Sequence, residues 1–70
     1  MHAQPSRVVL VEDVITTGGS LLKACKAVRE AGLVPVGVMV VVDREEGGRE
    51  VLEADGLKVR SLFTKSELLA

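Results

Sequence analysis

The sequence predicts an α/β fold, a three-stranded parallel sheet with helices in the order βαβαβα. Two continuous apolar runs, Arg7 to Glu12 and Val34 to Val42, have the pattern of strands buried on both faces. The stretch between them, Gly18 to Ala31, changes to helical spacing, with charged residues on the opposite side. Because crossovers between strands of one sheet are right-handed, this alternation predicts parallel strands.

Local signals mark the end of the first helix and the start of the second strand. Gly32 followed by Leu33 is typical of a helix that ends in a left-handed residue with a hydrophobic contact. Pro35 stands near the start of the second strand, where a missing N–H group is tolerated. Cys25 falls on the apolar side of the helix, which predicts a small core residue.

The last third of the chain predicts three further elements. Gly48 to Asp55 can form a short helix that Gly56 stops, and Leu57 to Phe63 alternates as a strand near the sheet edge does. Thr64 to Glu67 has the capping-box pattern of a helix start. Only one long apolar helix stripe is then available for two sheet faces, so we expect apolar surface to stay uncovered. Self-association, or pairing with a missing N-terminal half, would cover it.

Composition limits the classes of function. The chain has 70 residues, which we take as a single partial domain with a flexible lead-in over residues 1–6. A net charge of −1 and a single aromatic residue, Phe63, argue against nucleic acid as a partner. The sequence has neither a signal-peptide pattern nor an apolar run that could span a bilayer, so we expect no membrane partner and a cytoplasmic location. No His, Cys or Asp spacing predicts a metal site.

The stretch around the first predicted loop carries the main functional signal. Glu12 and Asp13 stand where the first strand runs out, and a Thr/Gly/Ser loop leads from there into the helix. Ligands of α/β sheets bind at the carboxyl ends of strands, and such a loop gathers backbone N–H groups around an anion. The pair of carboxylates would accept hydrogen bonds from hydroxyl groups of the same ligand, so a ribose 5-phosphate fits. The predicted phosphate-binding residues are Thr16, Thr17, Gly18, Gly19 and Ser20. An ordinary strand-to-helix turn is the plainer alternative.

A second polar, Gly-rich stretch, Asp43 to Gly48, follows the second strand and should lie beside the first loop. The guanidinium group of Arg44 can bind a substrate carboxylate through two parallel hydrogen bonds. A surface ion pair with Glu45 or Glu46 is the alternative interpretation of the same residue.

Both motifs match a known family. Val8 to Ser20 resembles the phosphoribosyl pyrophosphate signature of the type I phosphoribosyltransferases, and Asp43 to Gly48 makes the chain resemble the C-terminal portion of the orotate phosphoribosyltransferases. The resemblance implies part of a Rossmann-like fold. It also implies transfer of a phosphoribosyl group from phosphoribosyl pyrophosphate to orotate, giving orotidine monophosphate and pyrophosphate in pyrimidine biosynthesis. Mg²⁺ would be carried by the phosphoribosyl pyrophosphate.

The resemblance also implies roles for single residues. Glu12 and Asp13 would hold the ribose hydroxyl groups, with Asp13 as the catalytic carboxylate beside the developing cation, and Arg44 would orient orotate. The loop residues Thr16, Thr17, Gly18, Gly19 and Ser20 would hold the 5-phosphate. The upstream elements that complete such enzymes are not in these residues. Two alternatives therefore stay open.

The first alternative is a non-catalytic, phosphoribosyltransferase-like fragment that binds a nucleotide or assembles with another chain. The second, weaker alternative rests on Val8 to Asp13, which also resembles the first strand of a response-regulator receiver domain. Asp43 would then be the candidate phosphorylation site.

Overall fold

The computed structural model describes residues 6–70 and confirms the predicted α/β order of three parallel strands and three helices. The predicted lead-in lies outside the described residues except for Ser6. The carbonyl oxygen of Ser6 accepts a hydrogen bond from Val34 N at 2.8 Å, which ties the start of the first strand to the second. The elements are β1 Arg7–Ile15, α1 Gly19–Glu30, β2 Val34–Asp43, α2 Gly48–Ala54, β3 Lys58–Thr64 and α3 Lys65–Leu69.

The first strand is longer than the sequence predicts. The sequence predicts an end at Glu12, but Val14 and Ile15 continue the ladder and pair with Val42 and Asp43. Val14 and Ile15 are β-branched and fit the pleated surface of a sheet well. As a consequence, Glu12 and Asp13 lie inside β1 rather than at its end.

The strand order in the sheet is β1-β2-β3, so each strand pairs with the next one along the chain. Right-handed crossovers from one neighbour to the next place α1 and α2 on the same face of the sheet. The two helices are joined near their C-terminal ends by an ion pair between Arg29 Nη2 and Asp55 Oδ2 at 2.8 Å. Only one face of the sheet therefore receives cover from these helices.

The core lies between that face and the two helices. Leu21 and Cys25 of α1 and Leu52 of α2 are buried against strand residues such as Val38 and Val40. Within residues 6–70, the buried core consists of Ile15, Leu21, Cys25, Val38, Val40, Leu52, Leu57 and Val59.

The opposite face of the sheet is uncovered. Strand pairing and alternation along each strand place five apolar side chains on this face, Val9, Val11, Met39, Val41 and Leu62. Val11 is 75% exposed and Leu62 is 64% exposed. We call these five residues the bare face. The prediction that β1 and β2 are buried on both faces is wrong here, because all the cover comes from one side. The expectation of uncovered apolar surface is confirmed.

None of the helices within residues 6–70 is long and apolar enough to cross a bilayer.

Candidate functional site

The loops that follow β1 and β2 lie side by side, as the sequence predicts. Arg44 N donates a hydrogen bond to Ile15 O at 3.0 Å, and Gly48 N donates to Thr16 O at 3.0 Å. A Cβ atom at position 48 would press against Thr16 O and would lie 2.7 Å from Ile15 Cγ1. The two loops therefore meet backbone to backbone, and only glycine fits at that contact.

The first helix begins with its N–H groups turned toward this edge. Its N-cap is Gly18, in the left-handed region at φ 90°, and no side chain caps the helix. The first turn contains no acidic residue. The N-terminal N–H groups and the positive end of the helix dipole are therefore available to an anion.

A cleft of about 260 Å³ opens in front of this helix start. Four of the predicted site residues line it, Glu12, Thr16, Gly18 and Ser20, together with Val14, Ile15 and Leu21. Thr17 and Gly19 belong to the same loop and helix start but do not line the cleft.

Asp13 is not brought into this cleft. Glu12, its neighbour in β1, lines the cleft and pairs with Val40, which is buried under the helices, whereas Asp13 is not among the lining residues. Asp13 N donates to Glu12 Oε1 at 3.1 Å, so the two residues are linked through the backbone of one and the side chain of the other. The structure thus separates two carboxylates that their adjacency in the sequence suggested would act together.

A second cleft, of about 280 Å³, lies next to the first and shares Val14 with it. Its walls are mainly apolar, with two cationic side chains, and are formed by Val14, Val42, Arg44, Lys65, Leu68 and Leu69. Arg44 is half exposed, and its Nε lies 3.2 Å from Glu46 Oε2, so the surface ion pair considered as the alternative for this residue is present. No sequence signal indicates Lys65, Leu68 and Leu69 at this site, because a capping-box pattern shows where α3 begins but not what α3 packs against.

A larger cleft of about 770 Å³ lies along the outer edge of β3, lined among others by Met39, Arg49 and Arg60. It contains none of the predicted site residues. Exposed edge strands present unpaired backbone groups, and this cleft follows such an edge.

Two carboxylates hold the first half of the loop after β2. Asp43 is buried, and its Oδ1 accepts a hydrogen bond from Glu45 N at 2.8 Å. Glu45 has a φ of 59°, in the left-handed region, and its carboxylate accepts hydrogen bonds from Ser66 Oγ and, at 2.8 Å, from Ser66 N. The hydrogen bond from the Ser66 hydroxyl, then that from its backbone N–H, lower the pKa of Glu45, with a smaller contribution from Lys65.

In the described part of the chain, no group of three or more His, Cys, Asp or Glu side chains is arranged to hold a metal ion.

Comparison with known proteins shows which family this chain belongs to. A sequence model of the phosphoribosyl transferase domain matches residues 4–63. The chain belongs to the phosphoribosyl transferase domain family. This phosphoribosyl transferase domain is 62% identical over 63 residues to an orotate phosphoribosyltransferase of Aquifex aeolicus, a match that covers 90% of this chain and 34% of the relative. The resemblance to orotate phosphoribosyltransferases is confirmed.

Solved structures agree with that assignment. The orotate phosphoribosyltransferase of Aeropyrum pernix superimposes with a TM-score of 0.89 at 38% identity, covering 94% of this chain and 40% of that one. A Mycobacterium tuberculosis orotate phosphoribosyltransferase in complex with 5-phospho-alpha-D-ribosyl 1-diphosphate gives 0.83 at 44% identity, covering 94% of this chain and 41% of that one. This phosphoribosyl transferase domain therefore has the family fold. It spans 34% of the length of the Aquifex aeolicus relative, or about a third.

The receiver-like alternative gains no support from these findings. Its candidate phosphorylation site, Asp43, is only 4% exposed, and one of its oxygens already accepts a backbone hydrogen bond. A phosphoryl group could not reach that carboxylate without opening the loop.

Replacing Gly48 by alanine should push the two loops apart. The added Cβ meets backbone atoms that cannot move aside cheaply, so we expect Gly48→Ala to lower the free energy of unfolding by about 1–3 kcal/mol. Gly19→Ala is the matched control, because a Cβ there meets nothing within 4 Å and alanine favours the helix. Urea denaturation of both variants measures the difference. Equal stability would contradict the backbone contact.

The strength of the hydrogen bonds between Glu45 and Ser66 should depend on pH. Because the folded-state pKa of Glu45 is lowered, the contribution of these hydrogen bonds to folding stability is present above the ordinary glutamate pKa. That contribution is lost as the pH falls through the lowered value. We expect the amide signal of Ser66 in NMR spectra to titrate with a midpoint below the ordinary glutamate pKa. A midpoint at or above the ordinary glutamate pKa would show that the hydrogen bonds are not formed in solution.

Proposed function

We propose that this chain forms part of the active site of an orotate phosphoribosyltransferase, which transfers a phosphoribosyl group from phosphoribosyl pyrophosphate to orotate in cytoplasmic pyrimidine biosynthesis. The observation that carries the proposal is the cleft between Glu12 and the start of α1, where a carboxylate faces an uncapped helix N-terminus. The motif resemblance supports the same ligand, and so does the 5-phospho-alpha-D-ribosyl 1-diphosphate held in the Mycobacterium tuberculosis complex.

The 5-phosphate would bind at the start of α1. Backbone N–H groups from the loop and the first turn can donate to its oxygens, and the threonine and serine hydroxyl groups can add further hydrogen bonds. The proposed binding residues are Thr16, Thr17, Gly18, Gly19 and Ser20. The backbone contact with Gly48 holds this loop in place before the ligand arrives.

The ribose would extend from the phosphate toward Glu12, whose carboxylate can accept hydrogen bonds from the ribose hydroxyl groups. We assign to Asp13 the catalytic role of stabilising the oxocarbenium-like cation that develops at the sugar carbon when pyrophosphate leaves. Because Asp13 does not line the cleft, this role requires its side chain to move toward the cleft when the ligand binds.

The second cleft would take the orotate. It adjoins the first cleft at Val14, so a base bound there can stand next to the ribose. Its apolar walls suit a planar ring, and Arg44 can exchange its partner Glu46 for the orotate carboxylate. Inversion at the sugar carbon would then join a ring nitrogen of orotate to the ribose as pyrophosphate departs. Mg²⁺ would arrive as part of the substrate, carried on the diphosphate, and no residue of this chain is assigned to it as a ligand.

Titration with phosphoribosyl pyrophosphate and Mg²⁺ tests the binding site. We expect the amide NMR signals of Thr16 to Ser20 to move more than those elsewhere. Glu12→Gln and Asp13→Asn should each weaken this binding about tenfold through the lost charge-assisted hydrogen bonds, and each should leave inorganic phosphate binding unchanged. Glu30→Gln is the matched control. Signals that move only outside Thr16 to Ser20 would refute the phosphate assignment.

A second candidate function is that of a non-catalytic fragment that binds a nucleotide or assembles with another chain. The bare face favours it, because parallel sheets are almost always covered on both sides and this one is not. A turnover assay with orotate and phosphoribosyl pyrophosphate separates the two candidates. Product formation by the isolated chain supports the enzyme, and binding without turnover supports the fragment.

The bare face should also drive self-association, as a homo-oligomer, when no other chain covers it. We expect sedimentation equilibrium to show the mass of an oligomer. The interface of that oligomer should bury more than about 1,000 Å². Val11→Lys, at the most exposed side chain of the bare face, should shift the equilibrium toward monomer, whereas Lys23→Glu on the outer side of α1 should not. A wild-type chain that stays monomeric with a cooperative melt would contradict this proposal.

A further inference from the structure

The C-terminal helix α3 forms one wall of the second cleft, yet little holds it in place. Leu68 and Leu69 are 55% and 75% exposed although both line the cleft, so apolar burial fixes α3 weakly. Within the helix, the capping box of Thr64 and Glu67 satisfies the local backbone groups. Thr64 also pairs with Asp43 at the end of the sheet, which places the start of α3 beside the loop after β2. A further interaction between that loop and the helix is needed to fix the rest of the wall.

Glu45 supplies that interaction. Its carboxylate accepts hydrogen bonds from both the backbone N–H and the hydroxyl group of Ser66, in the first turn of α3. The neighbouring residue, Arg44, is tied to the end of β1 through its backbone and lines the same cleft with its side chain. Glu45 thus joins the loop that carries one wall of the cleft to the helix that carries the other.

The backbone of Glu45 is unusual for a residue without special turn chemistry. It is the one residue other than glycine with a positive φ, 59°, within residues 6–70. Glycine or asparagine would adopt this conformation more readily, so the local backbone alone does not account for a glutamate here. The long carboxylate side chain that reaches Ser66 is what glycine could not provide.

We propose that Glu45 is a positioning residue that holds α3 against the Arg44 loop and so sets the width of the cleft for the acceptor base. The identity of that base rests on the proposed function. The hydrogen bonds between Glu45 and Ser66 do not depend on any ligand.

The test compares three variants of the full chain. Glu45→Gly removes the carboxylate and relieves the left-handed backbone, Glu45→Gln keeps an oxygen acceptor without the charge, and Ser66→Ala removes one of the two hydrogen bonds. Glu30→Gln, at the far end of α1, is the matched control. Because Glu45→Gly loses backbone strain, we expect it to remain folded, which separates positioning from stability.

In the free protein we expect cross-peaks in NMR spectra between the methyl groups of Val14 or Val42 and those of Leu68 or Leu69. These cross-peaks should be lost in Glu45→Gly and weakened in Glu45→Gln and Ser66→Ala. Hydrogen exchange at the Ser66 amide should speed up about tenfold or more in Glu45→Gly. Unchanged cross-peaks and exchange in Glu45→Gly would overturn the proposal.

Binding then shows whether the wall matters for the acceptor base. Orotidine monophosphate should bind Glu45→Gly about tenfold more weakly than the wild type, and its binding to Glu45→Gln should be less affected. Inorganic phosphate should bind all variants equally. Equal affinity of Glu45→Gly and wild type for orotidine monophosphate would overturn the positioning role. If the wild type does not bind orotidine monophosphate at all, the proposed function fails, and the cross-peaks in the free protein still decide whether Glu45 holds α3.

Discussion

The backbone contact between the β1–α1 loop and the β2–α2 loop is the constraint on which the rest of the structure depends. Gly48 donates to the carbonyl of Thr16 at 3.0 Å, and a side chain at position 48 has no space. This contact sets the start of α1 and the Arg44 loop at one edge of the sheet. Without it, the β1–α1 loop and the cleft beside the Arg44 loop would have no fixed relation to each other.

The sequential strand order has a consequence for the whole domain. Since neighbouring strands are also consecutive in the chain, both crossover helices lie on one side, and the bare face remains. Doubly wound sheets solve this problem by reversing the strand order, so that later helices cover the second face. This chain spans 34% of the Aquifex aeolicus relative. Within the described residues, the bare face follows directly from the strand order.

The site combines groups of opposite charge at short range. Glu12 faces the positive end of α1 across one cleft, and Arg44 with Lys65 stand at the other. A substrate with an anionic phosphate, a neutral ribose and an anionic base has matching charges along its length. The same region contains the left-handed backbone of Glu45, which is held by hydrogen bonds to its N–H group and to its carboxylate.

The sequence by itself determined the order of elements, the helix boundaries and the loop that precedes α1, because apolar periodicity and glycine positions are local properties. It also determined the family, since Val8 to Ser20 and Asp43 to Gly48 carry its motifs. Only the tertiary structure decided that Glu12 lines the cleft and Asp13 does not, because strand length and pleat fix which side chain faces which way. It also decided that α3 returns to the Arg44 loop through Glu45 and Ser66. That contact joins residues 21 positions apart, and no local pattern in the sequence specifies it.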